Sequence, residues 1–172
     1  MSKLMDDLLP FLPHAEIQKL IKKLARQLEF DYEGREVIFI CPLRGSIHLV
    51  ADLMREVQLA QQVDFVYLQT IAKGGAIKMT KDITLNITGK HVIIVEEIID
   101  SGRSLIFLRN RLLSSNPASL KILTLLDKPA RRELPILADY IGKVIEDRYV
   151  VGYGMDSEEL GRNYPDVYYL KN

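Results

Sequence analysis

The feature that most constrains this chain is a recurrence of short apolar runs: Val37-Ile38-Phe39-Ile40-Cys41, His91-Val92-Ile93-Ile94-Val95 and Leu120-Lys121-Ile122-Leu123-Thr124-Leu125-Leu126. Each is short for a helix, and none alternates strictly between apolar and polar residues. Runs of this kind suit strands buried on both faces, as in parallel sheets covered by helices. Between them the apolar spacing turns helical. Ile17, Leu20, Ile21, Leu24 and Leu28 predict an amphipathic helix that ends before Gly34. Pro42 and Gly45 punctuate the end of the first strand. Ser46 stands where it can cap a second helix, with Leu49, Val50, Leu53, Met54 and Val57 as its core face. A further strand is expected over Val63–Leu68. Leu105, Ile106, Leu108, Leu112 and Leu113 mark a third helix, stopped by Asn116-Pro117. Strand-like pieces follow near Tyr140-Ile141, Arg148 to Val151 and Val167 to Leu170. Strands alternating with helices through residue 126 imply right-handed βαβ crossovers. The expected class is α/β, with a mainly parallel central sheet and helices on both faces.

No repeat, low-complexity tract or linker divides the chain, so residues 1–172 are expected to form a single domain. A chain of this size buries roughly 70% of its unfolded surface and needs no disulfide framework. Twenty-three basic residues balance twenty-three acidic ones, which argues against a surface built to coat nucleic acid. No apolar run approaches the roughly 20 residues of a membrane span. The opening MSKLMDDLLP carries acids where a signal peptide has its basic region, so the expected location is cytoplasmic, with no nucleic-acid or membrane partner. Cys41 is the sole cysteine, which excludes an intrachain disulfide and a four-cysteine metal site; it reads as an apolar filler. His14, His48 and His91 are scattered without ligand spacing. Leu8, Leu9, Phe11 and Leu12, near the start, suit either a core or an interface. Residues 70–82 contain Lys73-Gly74-Gly75, with Lys78, Lys81 and Lys90 in or beside them, and are expected to form an exposed, mobile connection.

In open α/β sheets, ligands bind beyond the carboxyl ends of the strands. After Val95 the chain reads Glu96-Glu97-Ile98-Ile99-Asp100-Ser101-Gly102-Arg103-Ser104 and then enters a helix. A glycine and two serines at a helix N-terminus can cradle a phosphate, through outward-pointing N–H groups, the helix dipole and hydroxyl donors. Neither G-x-x-x-x-G-K-[ST] nor G-x-G-x-x-G is present. Three carboxylates so close to a phosphate would repel it unless sugar hydroxyls or Mg²⁺ intervened. The residues therefore point to a phosphorylated sugar bearing a metal-bound polyphosphate. Asp-Ser-Gly on its own is no more than a capped turn. The full run, set between a buried strand and a helix, favours the ligand reading.

Val92 to Leu105, VIIVEEIIDSGRSL, resembles the phosphoribosyl-pyrophosphate motif of the purine phosphoribosyltransferases. The order of elements is similar to that of the hypoxanthine(-guanine) phosphoribosyltransferases over nearly the whole chain. Leu43-Arg44-Gly45-Ser46 resembles the pyrophosphate loop, and Leu126-Asp127-Lys128 the segment with the purine-selecting lysine. Arg148 to Asp156, with Arg162 six residues on, resembles the base-stacking and metal-side segment. The resemblance implies a type I phosphoribosyltransferase fold with a small hood built from the N- and C-terminal segments. It implies purine salvage: Mg²⁺-dependent transfer of a 5-phosphoribosyl group from phosphoribosyl pyrophosphate to hypoxanthine or guanine, giving IMP or GMP and pyrophosphate. By the same resemblance, Ser101, Gly102, Arg103 and Ser104 hold the 5-phosphate. Glu96 and Glu97 face the ribose and the metal, and Arg44, Gly45 and Arg162 approach the pyrophosphate. Asp156 acts through the metal, and Asp100 is the catalytic proton acceptor or the stabiliser of a cationic sugar. Lys128 donates to a 6-oxo group, Tyr149 stacks on the purine and Val150 offers backbone groups to its edge. A cis peptide at Leu43-Arg44 and a homodimer or homotetramer are also implied.

The pattern departs from the family at two places. Glu97 stands where aspartate is frequent. The segment Leu68-Gln69-Thr70-Ile71-Ala72-Lys73-Gly74-Gly75 lacks the Ser-Tyr pair usual on the mobile flap, with Thr70 as its one hydroxyl. A transferase preferring xanthine keeps the donor motif but changes the base. A regulatory protein that senses phosphoribosyl pyrophosphate or nucleotides through this fold is the competing non-enzymatic reading. It does not account for Lys128, Tyr149, Asp156 and Arg162 together. Residues 70–82 are expected to be the least ordered internal segment without substrate.

Overall fold

A computed structural model of the chain describes residues 3–71 and 76–171. A 3-10 turn (Lys3–Asp7) leads into β1 (Leu8–Leu12), α1 (His14–Asp31), β2 (Glu36–Leu43), α2 (Ile47–Glu56), β3 (Ala60–Thr70) and β4 (Ile77–Lys81). Then come β5 (His91–Ile99), α3 (Arg103–Leu113), β6 (Ser119–Asp127) and a 3-10 turn (Pro129–Arg131), followed by β7 (Tyr140–Val144), β8 (Val150–Val151) and β9 (Val167–Leu170). A six-stranded sheet has the order β4-β3-β2-β5-β6-β7, parallel throughout except for β4. A separate antiparallel sheet, β1-β9-β8, joins the two ends of the chain into a hood.

The apolar runs explain the layering. Phe39, Cys41, Ile93 and Val95 face α1 and α2, where Ile17, Ile21, Leu24, Leu28, Leu49 and Leu53 are buried. Ile38, Ile40, Val92 and Ile94 face the other way, against Leu105, Leu108 and Leu112 of α3. A strand between two helical layers must be apolar on both sides, which is why these runs do not alternate. Each fully buried aliphatic side chain contributes about 1.5–3 kcal/mol by leaving water. Cys41 lies wholly inside this sandwich. Burial pushes its thiol pKa well up, with Glu96 and Asp64 adding to the rise. Among the described residues no helix is long and apolar enough to cross a membrane.

Three local expectations need correction. Ser46 does not cap α2; it adopts helical backbone angles, and its hydroxyl donates to the Pro42 carbonyl at 2.6 Å. That contact satisfies a buried strand-end acceptor. Pro42 is the penultimate residue of β2, so the strand runs one residue past it. The connection over 70–82 is not wholly irregular, because Ile77–Lys81 pairs with β3 as an antiparallel edge strand; residues 72–75 lie outside the described residues. Asp64 ties down the base of this hairpin. It accepts from the backbone N–H of Phe65 (2.8 Å) and Leu85 (3.0 Å), from the Thr84 hydroxyl (3.0 Å) and N–H, and from Lys81 Nζ (3.2 Å). Burial pushes the Asp64 carboxyl up, yet these donors win and hold it at about 2.

Candidate active site

The crossover from β2 through α2 reaches β3 on one side, and that from β5 through α3 reaches β6 on the other. The strand order therefore diverges between neighbours β2 and β5, and a crevice opens at their carboxyl ends. Arg44 and Gly45 leave β2 there, across a cis Leu43-Arg44 peptide. Glu96 and Glu97 lie near the end of β5, Asp100 to Ser104 start α3, and Lys128 follows β6. The hood lowers residues 149–162 onto these strand ends. Three adjoining cavities result, of about 160, 280 and 170 Å³, and Glu97 lines all of them.

The first, about 160 Å³, is bounded by Glu96, Asp100, Ser101, Gly102 and Ser104. Gly102 is the residue before α3, with φ +84°, a left-handed conformation that a side chain would disfavour. Its carbonyl accepts the first helical bond from Ile106 at 3.0 Å. The N–H groups of the first turn have no partner within the helix, and that of Arg103 donates to Ser101 Oγ at 3.4 Å. The Arg103 guanidinium pairs with Glu133 at 2.5 Å. The backbone and hydroxyls, not the Arg103 side chain, thus form the anion-ready part of this turn.

The second cavity, about 280 Å³, is bounded by Arg44, Gly45, Thr70, Glu96, Glu97, Ser104 and Arg162. A Cβ on Gly45 would stand 1.7 Å from Glu97 Oε1, so Gly45 is the space into which the longer Glu97 side chain reaches. Glu97 Oε2 is buried and, among the described residues, has no hydrogen-bond partner. Burial raises its pKa, Arg162 opposes the rise and Asp156 adds to it, leaving the carboxyl at about 7. Glu96 is also raised, by burial and by Glu97. A carboxyl whose pKa is higher folded than unfolded favours the fold while protonated. That advantage is complete below the ordinary value of 4.5 and is lost as pH climbs to about 7. Thermal melts of the unliganded protein are expected to fall in midpoint across that window. The fall should flatten in Glu97→Gln; an identical slope in the variant would assign the effect to other groups.

The third cavity, about 170 Å³, is lined by Glu97, Ile98, Asp100, Lys128, Tyr149, Val150, Met155 and Asp156. Lys128 is only 5% exposed, yet among the described residues it has no ion pair. Nearby Asp127 instead pairs with Arg132. Tyr149 is anchored by its hydroxyl, which donates to the Asp156 carbonyl at 2.9 Å. Asp100 faces Arg131 at 3.2 Å, and that guanidinium also reaches Asp147 at 3.6 Å. A larger groove of about 760 Å³ runs along α1 beside Tyr140. It lies away from the strand ends and contains none of the site residues.

The structure thus brings the residues read from sequence into one crevice, except Arg103, which lines none of the three cavities. His91 lies at the opposite end of β5, on Ser119 at 2.8 Å. Sequence reading missed Arg131, Met155, Ile98 and Glu159. Of these, Glu159 alone had a visible signal, lying three residues after Asp156 and three before Arg162.

A parallel sheet with a hooded crevice, an acidic strand end and a serine-glycine turn defines a phosphoribosyl-transferring class of fold. The family model described as the phosphoribosyl transferase domain matches residues 11–158, and the chain belongs to that family. Within it, the chain is similar to the hypoxanthine phosphoribosyltransferase of Salmonella typhimurium, at 43% identity over 91% of both chains. A crystal structure of a hypoxanthine-guanine phosphoribosyltransferase from Bacillus anthracis superposes with a TM-score of 0.91 and 41% identity. That match covers 94% of this chain and 97% of the other. The bifunctional protein TilS/HprT of Listeria monocytogenes is 38% identical over 91% of this chain, which spans a quarter (25%) of that protein's length.

Proposed function

We propose that this protein is a purine-salvage enzyme that transfers a 5-phosphoribosyl group from phosphoribosyl pyrophosphate to hypoxanthine or guanine, releasing pyrophosphate. The observation that carries the reading is Lys128, a buried ammonium with no carboxylate partner among the described residues, facing a small cavity with Asp100 and Tyr149. A fixed donor of this kind accepts a 6-oxo group and disfavours a 6-amino group. Tyr149 supplies a stacking face and the Val150 backbone meets the purine edge. The N–H groups and hydroxyls of Ser101 to Ser104 hold the 5-phosphate, and Arg44, Gly45 and Arg162 receive the pyrophosphate. Asp100 accepts the ring proton or stabilises positive charge on the sugar.

The residues fit Mg²⁺. Glu97 Oε2 is an orphaned buried acceptor, and Glu96, Glu97 and Asp156 are hard oxygen donors. Among the described residues no three acidic, histidine or cysteine side chains converge on a point. Such an open site suits an ion that takes one or two carboxylates and completes its shell with phosphates and water. When bound, the metal neutralises charge on the pyrophosphate. The reading extends to a cytoplasmic homodimer or homotetramer, which sedimentation would resolve.

The test supplies Mg²⁺ and phosphoribosyl pyrophosphate with hypoxanthine, guanine, xanthine or adenine in turn. Nucleotide is expected from hypoxanthine or guanine and not from adenine; product from none would overturn the reading. Lys128→Ala should lower kcat/KM for the preferred base by about 10- to 100-fold and narrow its margin over adenine. Unchanged selectivity would remove Lys128 from the base site.

A further inference from the structure

We propose that Glu159 is a placeholder anion. Its carboxylate takes the position between Arg44 and Arg162 that the bound pyrophosphate would take, so it lowers pyrophosphate affinity and favours release. The proposal rests on the transferase reading above and assigns a further affinity-determining residue to it.

One oxygen, Glu159 Oε2, receives both arginines: Arg44 Nη1 at 2.5 Å and Arg162 Nη2 at 3.1 Å. Both arginines line the 280 Å³ cavity beside Glu97 and Gly45. Arg44 is further steadied by the Tyr67 hydroxyl at 3.0 Å, and Arg162 by the Gly154 carbonyl at 2.8 Å and Asp156 at 2.8 Å. The two cations are therefore in place before a ligand arrives, and Glu159 is their shared partner.

The backbone that carries Glu159 is unusual for its sequence. Ser157 and Leu160 exchange both hydrogen bonds at 2.9 Å across a two-residue turn. Its central residues, Glu158 and Glu159, have φ of 51° and 66°. Two-residue turns with positive φ at both central positions prefer Asn-Gly, and bulkier residues disfavour that conformation. Two adjacent glutamates beside Asp156 add like-charge repulsion. The turn is held by Asp156, which accepts the Glu159 N–H at 2.8 Å, and by the two arginines. The Glu159 side chain is 61% exposed, so it can swing into water when a stronger anion displaces it. Ion pairs this exposed are individually weak, which suits a group that must yield its place.

The experiment measures binding of inorganic pyrophosphate with Mg²⁺ by calorimetry, and product inhibition by pyrophosphate, in the wild-type protein, Glu159→Gln and Glu158→Asn. Glu159→Gln keeps the size and removes the charge; pyrophosphate should bind about three- to tenfold more tightly, with KM for the base unchanged. Affinity that is equal or weaker would overturn the proposal. Glu158→Asn relaxes the turn but leaves the Glu159 carboxylate; it should raise the melting temperature and leave pyrophosphate affinity within about twofold. Equal tightening in Glu158→Asn would assign the effect to turn geometry and overturn the proposal. Wild-type protein that binds pyrophosphate yet forms no nucleotide would sink the transferase reading while the Glu159 comparison still stands. Failure of the wild type to bind pyrophosphate would overturn both.

Discussion

Asp100→Asn is expected to reduce kcat by about 100-fold or more while KM for phosphoribosyl pyrophosphate stays within about threefold. Asp100 is the residue after β5 and the last before the serine-glycine turn. It borders the cavity that holds Lys128 and Tyr149. In the proposed reaction, an attacking purine nitrogen would lose its proton on this side, and positive charge would grow on the sugar beside it. A carboxylate answers either need; an amide of the same shape answers neither. The Ser101 to Ser104 cradle is untouched by the substitution, so donor binding should persist. Arg131, at 3.2 Å, would lose its nearer acid and keep Asp147 at 3.6 Å. Steady-state kinetics with each substrate varied would separate the outcomes. A raised KM for the donor at unchanged kcat would make Asp100 a binding residue and remove it from the chemistry.

Gly154→Ala should destabilise the protein by about 3–5 kcal/mol, combining a left-handed backbone penalty with overpacking. Gly154 has φ of +98°, and a Cβ there would stand 1.9 Å from the Gly45 carbonyl oxygen. The obstacle is backbone, so no flexible side chain can give way. The damage should also reach the site, because Gly154 N–H donates to the Arg162 carbonyl at 2.9 Å and Arg162 Nη1 donates back at 2.8 Å. Urea unfolding would supply the free energy, and pyrophosphate affinity the functional loss. A loss of stability below about 1 kcal/mol would mean that the hood rides more loosely on the β2 loop than this contact requires.

The central strands were legible because β2, β5 and β6 are buried on both faces, and their sequences say so residue by residue. β1 was not. Leu-Leu-Pro-Phe-Leu is short and contains Pro10; it becomes a strand by pairing Leu8 with Leu170 at the far end of the chain. β4 did carry a period-two signal, Ile77-Lys78-Met79-Thr80-Lys81, but it was masked by flanking lysines and glycines. The acidic strand end and its turn were readable because the groups involved lie within nine consecutive residues. The spacing of Glu159 between Asp156 and Arg162 was visible, but its pairing with Arg44 was not, because Arg44 is 115 residues away in sequence. The upward shift of both the Glu96 and Glu97 carboxyls also depends on burial, which no spacing rule encodes.

Cys41 gives the molecule an internal reporter. It is the sole thiol, it sits in β2 at the middle of the six-stranded sheet, and its burial suppresses the reactive thiolate. A soluble alkylating reagent can reach it only when the helical layers part. The rate of its modification therefore measures how often the whole sandwich opens, with no label engineered in. Ligands that close the crevice should register as slower alkylation 55 residues upstream in sequence from the acidic strand end at Glu96.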